Sequence, residues 1–320
     1  MSALIMSTLV TLSSNNWIGM WIGLEVNMMS FIPLILNKVN KSSAEAAMIY
    51  FLTQGASSML MMMMVLIMMC KYLISKTIII SILMISIFIK LGAAPFHAWM
   101  PKILAKMEWD KCSILMTWQK IAPLFMISNI NFNSNLIMNA IIITSVSVGS
   151  LVGLNQTSLR KMMAYSSINH LGWMLAINKS MNLWMIYILV YSFMILSLCY
   201  LFFNYKLYYI NQITSINMSS NEKISFLVMM LSMGGLPPFI GFLPKWITIQ
   251  SLIHNQEFFI ILIMILFSLV TLMFYLRAVT SMYLSFHSSI KWALNYSSHS
   301  TMLIMMVNLS LPVIMILDVL

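Results

Sequence analysis

Charge is what this chain has least of. Only 8% of its 320 residues are Asp, Glu, Lys or Arg, while 61% are hydrophobic; ordinary soluble domains carry about a quarter charged residues, so most of this chain does not face water. No segment is long and polar enough to form a separate soluble domain, and a bilayer is the natural solvent. Three cysteines, Cys70, Cys112 and Cys199, lie far apart in apolar surroundings. Without a CxxC or Cys/His spacing they read as small core residues, which excludes a disulfide framework or a zinc site built on them. Equally absent are a GxGxxG turn, a Walker loop, a haem-type or cluster-type ligand set and a nucleophile motif. The chain is therefore expected to hold no redox centre of its own and to draw energy from ion gradients or neighbouring subunits. No Arg-rich presequence or cleavable signal stands ahead of the first apolar stretch, so insertion during synthesis, or synthesis where the protein works, is expected. The net charge of +10 comes without a basic cluster, which excludes nucleic acid as a partner.

What is present is a succession of apolar stretches bounded by Asn, Ser, Lys and Pro. They predict membrane spans over 1–13, 15–36, 44–69, 76–96, 109–128, 134–154, 161–178, 182–205, 222–250, 256–282 and 301–319, eleven in all. Methionine is abundant, 36 residues with Met61 to Met64 consecutive; its Leu-like packing makes this tolerable, and codon bias in an AT-rich genome is its expected origin.

Basic residues divide unevenly between the two sides. Lys38, Lys41, Lys102, Lys106, Lys111, Arg160, Lys161, Lys206, Lys223, Arg277 and Lys291 fall on one side, and Lys71, Lys76 and Lys179 on the other. Eleven against three is a positive-inside bias that sets the N-terminus on the positive side and the C-terminus opposite. The remaining three of the 17 basic residues, Lys90, Lys120 and Lys245, lie inside spans.

Two spans carry breakers. The fourth reads Lys-Leu-Gly-Ala-Ala-Pro-Phe-His from Lys90 to His97, and the ninth reads Gly-Gly-Leu-Pro-Pro-Phe-Ile-Gly-Phe-Leu-Pro-Lys-Trp from Gly234 to Trp246. Proline removes a backbone donor and glycine weakens the helix, so both spans should break near mid-membrane, where the freed groups must be buried in protein or line a wet cavity. The two lie five spans apart, an odd number, so equivalent helices of two five-helix units run oppositely. The expected fold is thus an all-α membrane protein of two inverted repeats, residues 1–132 and 133–282, each with one broken helix, followed by a loop and C-terminal helix over 283–320.

Ionisable residues inside spans are the candidate site. Glu25 lies halfway along the second span, where a charge costs roughly 2.5–3.5 kcal/mol on insertion scales and usually faces a partner or water; the alternative is a protonated glutamic acid acting as interhelical glue. Burial penalises a charged lysine and a carboxylate favours it, so a buried lysine with a movable partner can take up and release protons. Lys90, Lys120 and Lys245 are candidates on that ground. Snorkelling is the alternative for Lys90 and Lys120, and a headgroup-level position for Lys245. His170, in a polar-dotted stretch of the seventh span, is either a relay station or a satisfied core histidine. His97 reaches the interface or feeds the pathway, and Glu108, Asp110 and Lys111 sit in a solvated loop.

These segments resemble a known family. Trp-Ile-Gly-Leu-Glu-Val-Asn-Met at 21–28, the two broken segments, Met-Thr-Trp-Gln-Lys at 116–120, Gly-Leu-Asn-Gln-Thr-Ser-Leu-Arg-Lys at 153–161 and Ala-Tyr-Ser-Ser-Ile-Asn-His at 164–170 are similar to the subunit-2 family of antiporter-like membrane proteins of mitochondrial respiratory complex I. The resemblance implies that Glu25 and Lys90 form the buried pair of a first half-channel, that Lys120 is the central lysine and that Lys245 ends a second half-channel. It implies a multi-pass inner-membrane subunit with its N-terminus in the matrix. Such a subunit translocates protons to the intermembrane space, driven by electron transfer from NADH to ubiquinone elsewhere. NADH, FMN, iron-sulfur clusters and ubiquinone are then expected on other subunits, with this chain binding no cofactor. The expected partners are other membrane-arm subunits, including the neighbouring antiporter-like one, accessory subunits and lipids. A free-standing cation/proton antiporter or its subunit, and a passive scaffold, are the competing classes; four or more costly intramembrane ionisable groups argue against the scaffold.

Overall fold

A computed structural model describes residues 1–37, 40–70, 75–130, 136–178, 180–215, 220–283 and 305–311. Within them the regular structure is helical, apart from one antiparallel bridge between Ser158 and Tyr209. The helices are α1 (Ser2–Ser13), α2 (Trp17–Ile35), α3 (Lys41–Met69), α4 (Lys76–Leu91), α5 (Trp99–Leu104), α6 (Trp109–Met116), α7 (Ile121–Ser128), α8 (Leu136–Leu154), α9 (Leu159–Ala176), α10 (Met181–Asn204), α11 (Ile210–Ser215), α12 (Ser220–Gly234), α13 (Phe242–His254) and α14 (Phe258–Tyr283).

Six stretches among the described residues are long and apolar enough to cross a membrane: Trp17–Ile35, Lys41–Met69, Lys76–Leu104, Leu136–Leu154, Asn182–Asn204 and Phe258–Met282. The other expected spans are shorter, more polar or interrupted helices. Of the stretch 301–319 only 305–311 is described, and the boundary expected at 132/133 and the loop 284–300 lie outside the described residues.

Burial, more than apolarity, singles out α9. Fourteen of its residues are buried, among them Ser166, Ser167, Asn169 and His170. It packs most extensively against α8, and glycines on both helices permit the approach. A Cβ on Gly149 would lie 2.7 Å from the Asn169 nitrogen, and one on Gly172 would lie 2.4 Å from Val146 Cγ2. Small residues let helix backbones meet closely where no hydrophobic effect drives association. The polar helix α9 is thereby held at the centre, with α5, α6, α10 and α13 around it.

The two ends of the bundle are built differently. At one end, Arg160 donates to the Met107 carbonyl at 2.8 Å and lies over the Tyr208 ring. Trp109 donates to the Leu207 carbonyl at 2.8 Å. Arg277 of α14 donates to the Leu154 and Gln156 carbonyls, where α8 ends and its last carbonyls lack intrahelical partners. These bonds gather the basic loops around 107, 154–160 and 207–209. At the other end Ser128, Asn139, Asn178, Asn255 and Glu257 line a cavity of about 40 Å³.

Candidate functional site

The first break follows from Gly92. Its φ of 70° is left-handed, a conformation that costs an L side chain roughly 1–2 kcal/mol. The Gly92 N–H bonds the Ile89 carbonyl and the Ala93 N–H bonds the Phe88 carbonyl, the paired closure with which helices commonly end on glycine. Neutral side chains donate to the carbonyls around this break: Trp99 Nε1 adds a second bond to Ile89 at 3.1 Å, Gln54 Nε2 reaches Lys90 at 3.2 Å and Thr144 Oγ1 reaches Ala94 at 3.0 Å. Lys90, at the end of α4, turns its ammonium elsewhere. Its Nζ lies 3.9 Å from Glu25 Oε1 on α2, with side-chain exposures of 3% and 21%. That separation is an ion pair too long for a hydrogen bond, and Glu25 Oε1 accepts no other bond. The pair has room to rearrange.

The fifth span, expected as one helix over 109–128, is interrupted. Pro123 cannot supply the N–H that the Gln119 carbonyl would take in a continuous α-helix. The segment Trp118–Lys120 winds as a 3-10 turn between α6 and α7, and Thr117 Oγ1 folds back on the Ser113 carbonyl at 2.7 Å. A 3-10 stretch in mid-helix often marks a hinge. Lys120 sits at its end, 2% exposed. Its Nζ donates to the Ser167 carbonyl at 3.0 Å and to Tyr191 Oη at 3.4 Å, and it lies over the Tyr191 ring.

The second break repeats the first in backbone and differs in side chains. Gly235 has φ of 76°; its N–H bonds the Ser232 carbonyl, and the Leu236 N–H bonds that of Leu231. Here the lysine itself caps the helix. Lys245, buried on α13, donates from Nζ to the Gly234 carbonyl at 2.7 Å and faces the Trp173 ring at 5.7 Å. A cation at a helix C-terminus meets the negative end of the peptide dipoles. A Cβ on Gly235 would come within 2.7 Å of Nζ. Among the described residues no carboxylate pairs with Lys120 or Lys245.

His170 belongs to the same buried cluster as Lys120. Its Nδ1 lies 2.8 Å from Tyr187 Oη and its ring 5.0 Å from that of Tyr191, the tyrosine that contacts Lys120. Trp173, three residues on and on the same helix face, contacts Lys245. The structure thus brings Glu25 together with Lys90, and Lys120 with His170 through Tyr191; Lys245 meets Trp173, on the same helix as His170. His97 stands apart in a short 3-10 turn beyond Pro95, half-buried beside Tyr165. Asn27, Tyr50, Gln54, Gln119, Tyr187 and Tyr191 join the site without having been singled out beforehand. A polar side chain in mid-span, such as Gln54 in α3, is the signal that could have found them. Lys90 and Lys120 line one cavity of about 20 Å³ with Asn27, Tyr50, Gln54 and Gln119.

Over residues 14–271 the sequence matches the family described as NADH:quinone oxidoreductase/Mrp antiporter, transmembrane. The chain belongs to this family. It is 45% identical over 307 residues to the NADH-ubiquinone oxidoreductase chain 2 of Anopheles gambiae, covering 93% of this chain and 89% of the relative. It is 38% identical over 324 residues to that of Canis lupus, covering 95% and 91%. Its fold is that of a chain in respiratory complex I from Thermus thermophilus, with a TM-score of 0.83 at 18% identity, covering 99% of this chain and 77% of the other. A chain of the membrane-bound sulfane sulfur reductase, an archaeal respiratory membrane complex, gives 0.84 at 16% identity, covering 98% and 71%. The antiporter-family fold therefore surrounds the buried lysines described above.

Proposed function

We propose that this chain is the antiporter-like membrane-arm subunit of a mitochondrial respiratory complex I, moving protons from the matrix to the intermembrane space. Electron transfer from NADH to ubiquinone takes place in other subunits, which hold FMN, the iron-sulfur clusters and the quinone. The chain crosses the inner membrane eleven times with its N-terminus in the matrix. Residues 1–132 and 133–282 form two inverted repeats, and the neighbouring antiporter-like subunit, accessory subunits and lipids surround them.

One observation carries this reading: three lysines are buried across the bundle, and a carboxylate within the membrane faces the first. Packing requires none of these charges, and each is costly there. Glu25 and Lys90 form the first exchange pair, Lys120 the central station, His170 the relay and Lys245 the last station. A displaced proton changes the field on the next station, so charge passes along the row by electrostatics. Moving one elementary charge through 100 mV requires about 2.3 kcal/mol, comparable with shifting one buried group by two pKa units at about 1.36 kcal/mol each.

The test is proton pumping together with NADH:quinone turnover in membrane vesicles carrying the intact complex with Lys120→Met. Pumping is expected to fall while the complex stays assembled, and turnover to fall with it if coupling is tight. Both activities unchanged in the assembled variant would remove Lys120 from the route. A free-standing cation/proton antiporter, or a subunit of one, is the second reading; a chain of the Mrp complex from Dietzia sp. shares the fold, with a TM-score of 0.75 at 14% identity, covering 89% of this chain and 60% of that one. Ion exchange by the purified chain alone in liposomes would select it.

A further inference from the structure

The lysine row leaves a polar junction unexplained. Gln119 Nε2 donates to Asn27 Oδ1 on α2 at 3.1 Å, and its Oε1 accepts from the Tyr50 hydroxyl on α3 at 3.4 Å. Asn27 and Tyr50 are almost fully buried, at 2% and 3% exposure. All three line the cavity that Lys90 and Lys120 share, and its volume of about 20 Å³ admits roughly one water. An apolar trio would fill the same space, whereas a satisfied hydrogen-bonded set fixes one arrangement.

Gln119 and Lys120 are neighbours in the 3-10 turn, yet they engage opposite halves of the bundle. Gln119 is held by α2 and α3, and Lys120 by Ser167 of α9 and Tyr191 of α10. A rotation of the turn that lifts Lys120 off the Ser167 carbonyl must also pull Gln119 from its two partners. We propose that Gln119 is a positioning residue: its bonds to Asn27 and Tyr50 latch the Trp118–Lys120 turn with Lys120 parked against Ser167 and Tyr191. Release of the latch frees the ammonium to face the cavity it shares with Lys90. Events at the first break thereby reach Lys120 through a change of turn register as well as through the field. This rests on the lysine row being the proton route.

The experiment compares Gln119→Met, Tyr50→Phe, their double variant and Lys120→Met in the intact complex, reading as one ratio the proton-pumping rate over the amount of assembled complex. Gln119→Met is expected to lower pumping by about fivefold or more, the lower end of ordinary site-to-site coupling, and Tyr50→Phe to lower it less. The double variant should be no worse than Gln119→Met, because a latch broken at one end is already open. A structural role would instead lower the amount assembled and leave the ratio per assembled complex intact. An unchanged ratio in Gln119→Met overturns the latch, as do losses that simply add. If Gln119→Met does not assemble, Tyr50→Phe decides: a ratio unchanged after loss of that hydroxyl overturns the proposal, and a lowered one supports it. Pumping retained in Lys120→Met defeats the route itself and the latch with it; pumping lost there but kept in Gln119→Met defeats the latch alone.

Discussion

The two broken helices close in the same way and use their lysines in opposite ways. At Gly92 and at Gly235 a left-handed glycine ends the helix with the same pair of backbone bonds. At the first break, Trp99, Gln54 and Thr144 donate to the surrounding carbonyls, and Lys90 faces Glu25. At the second, Lys245 is itself the donor to the Gly234 carbonyl. One cation answers to a carboxylate on a different helix and the other to the end of a helix it follows. A carboxylate can move away or be protonated. A helix end keeps its dipole, so the second lysine holds a fixed counter-field while the first holds a variable one.

The largest expected effect comes from Gly235→Ala. It places a side chain in left-handed backbone and against Lys245 Nζ, whereas a Cβ on Gly92 would meet only the edge of the Trp99 ring at 3.1 Å. Both substitutions should lower the amount of assembled complex on native gels, Gly235→Ala more severely; equal losses would mean that the backbone strain of roughly 1–2 kcal/mol outweighs the contact with lysine. Next, Lys90→Met strands Glu25 and should reduce assembly in a way that Glu25→Gln in the same chain partly restores, because an unpaired buried group costs about 1–3 kcal/mol. Rescue of Lys245→Met by neutralising any single carboxylate would break the contrast between the two breaks. Smaller is Trp99→Phe, which deletes one hydrogen bond to Ile89 and should cost about 1 kcal/mol, seen as earlier loss of activity on heating. Smallest is Trp173→Phe, which keeps a buried ring facing Lys245 and only weakens a cation–π contact worth about 0.5–2 kcal/mol; it should slow pumping slightly in the complex that assembles.

Both breaks were legible because glycine and proline act locally: Gly92, Pro95, Gly235 and Pro237 impose their effects whatever surrounds them. Glu25, Lys90, Lys120, Lys245 and His170 stood out because charge and imidazole are scarce in apolar sequence. The interruption at Trp118–Lys120 was equally local, since Pro123 lies three residues beyond Lys120, yet no glycine accompanied it and the span read as continuous. Tyr187 and Tyr191 could not be read, because an aromatic in an apolar helix is ordinary core until a neighbour shows what its hydroxyl touches. Asn27 and Gln119 needed a long-range fact, the meeting of α2 with the turn before α7. Which helix faces a given lysine is a property of packing, and no periodicity in the chain encodes it.

The cavity between Lys90 and Lys120 has a further consequence in its size. A space for about one water cannot hold a continuous column of liquid, and a membrane at working voltage discharges through any column that spans it. Here the space between the two lysines is too small for such a column while the side chains rest as described. The junction thus behaves as a valve whose leak is set by how rarely the side chains rearrange.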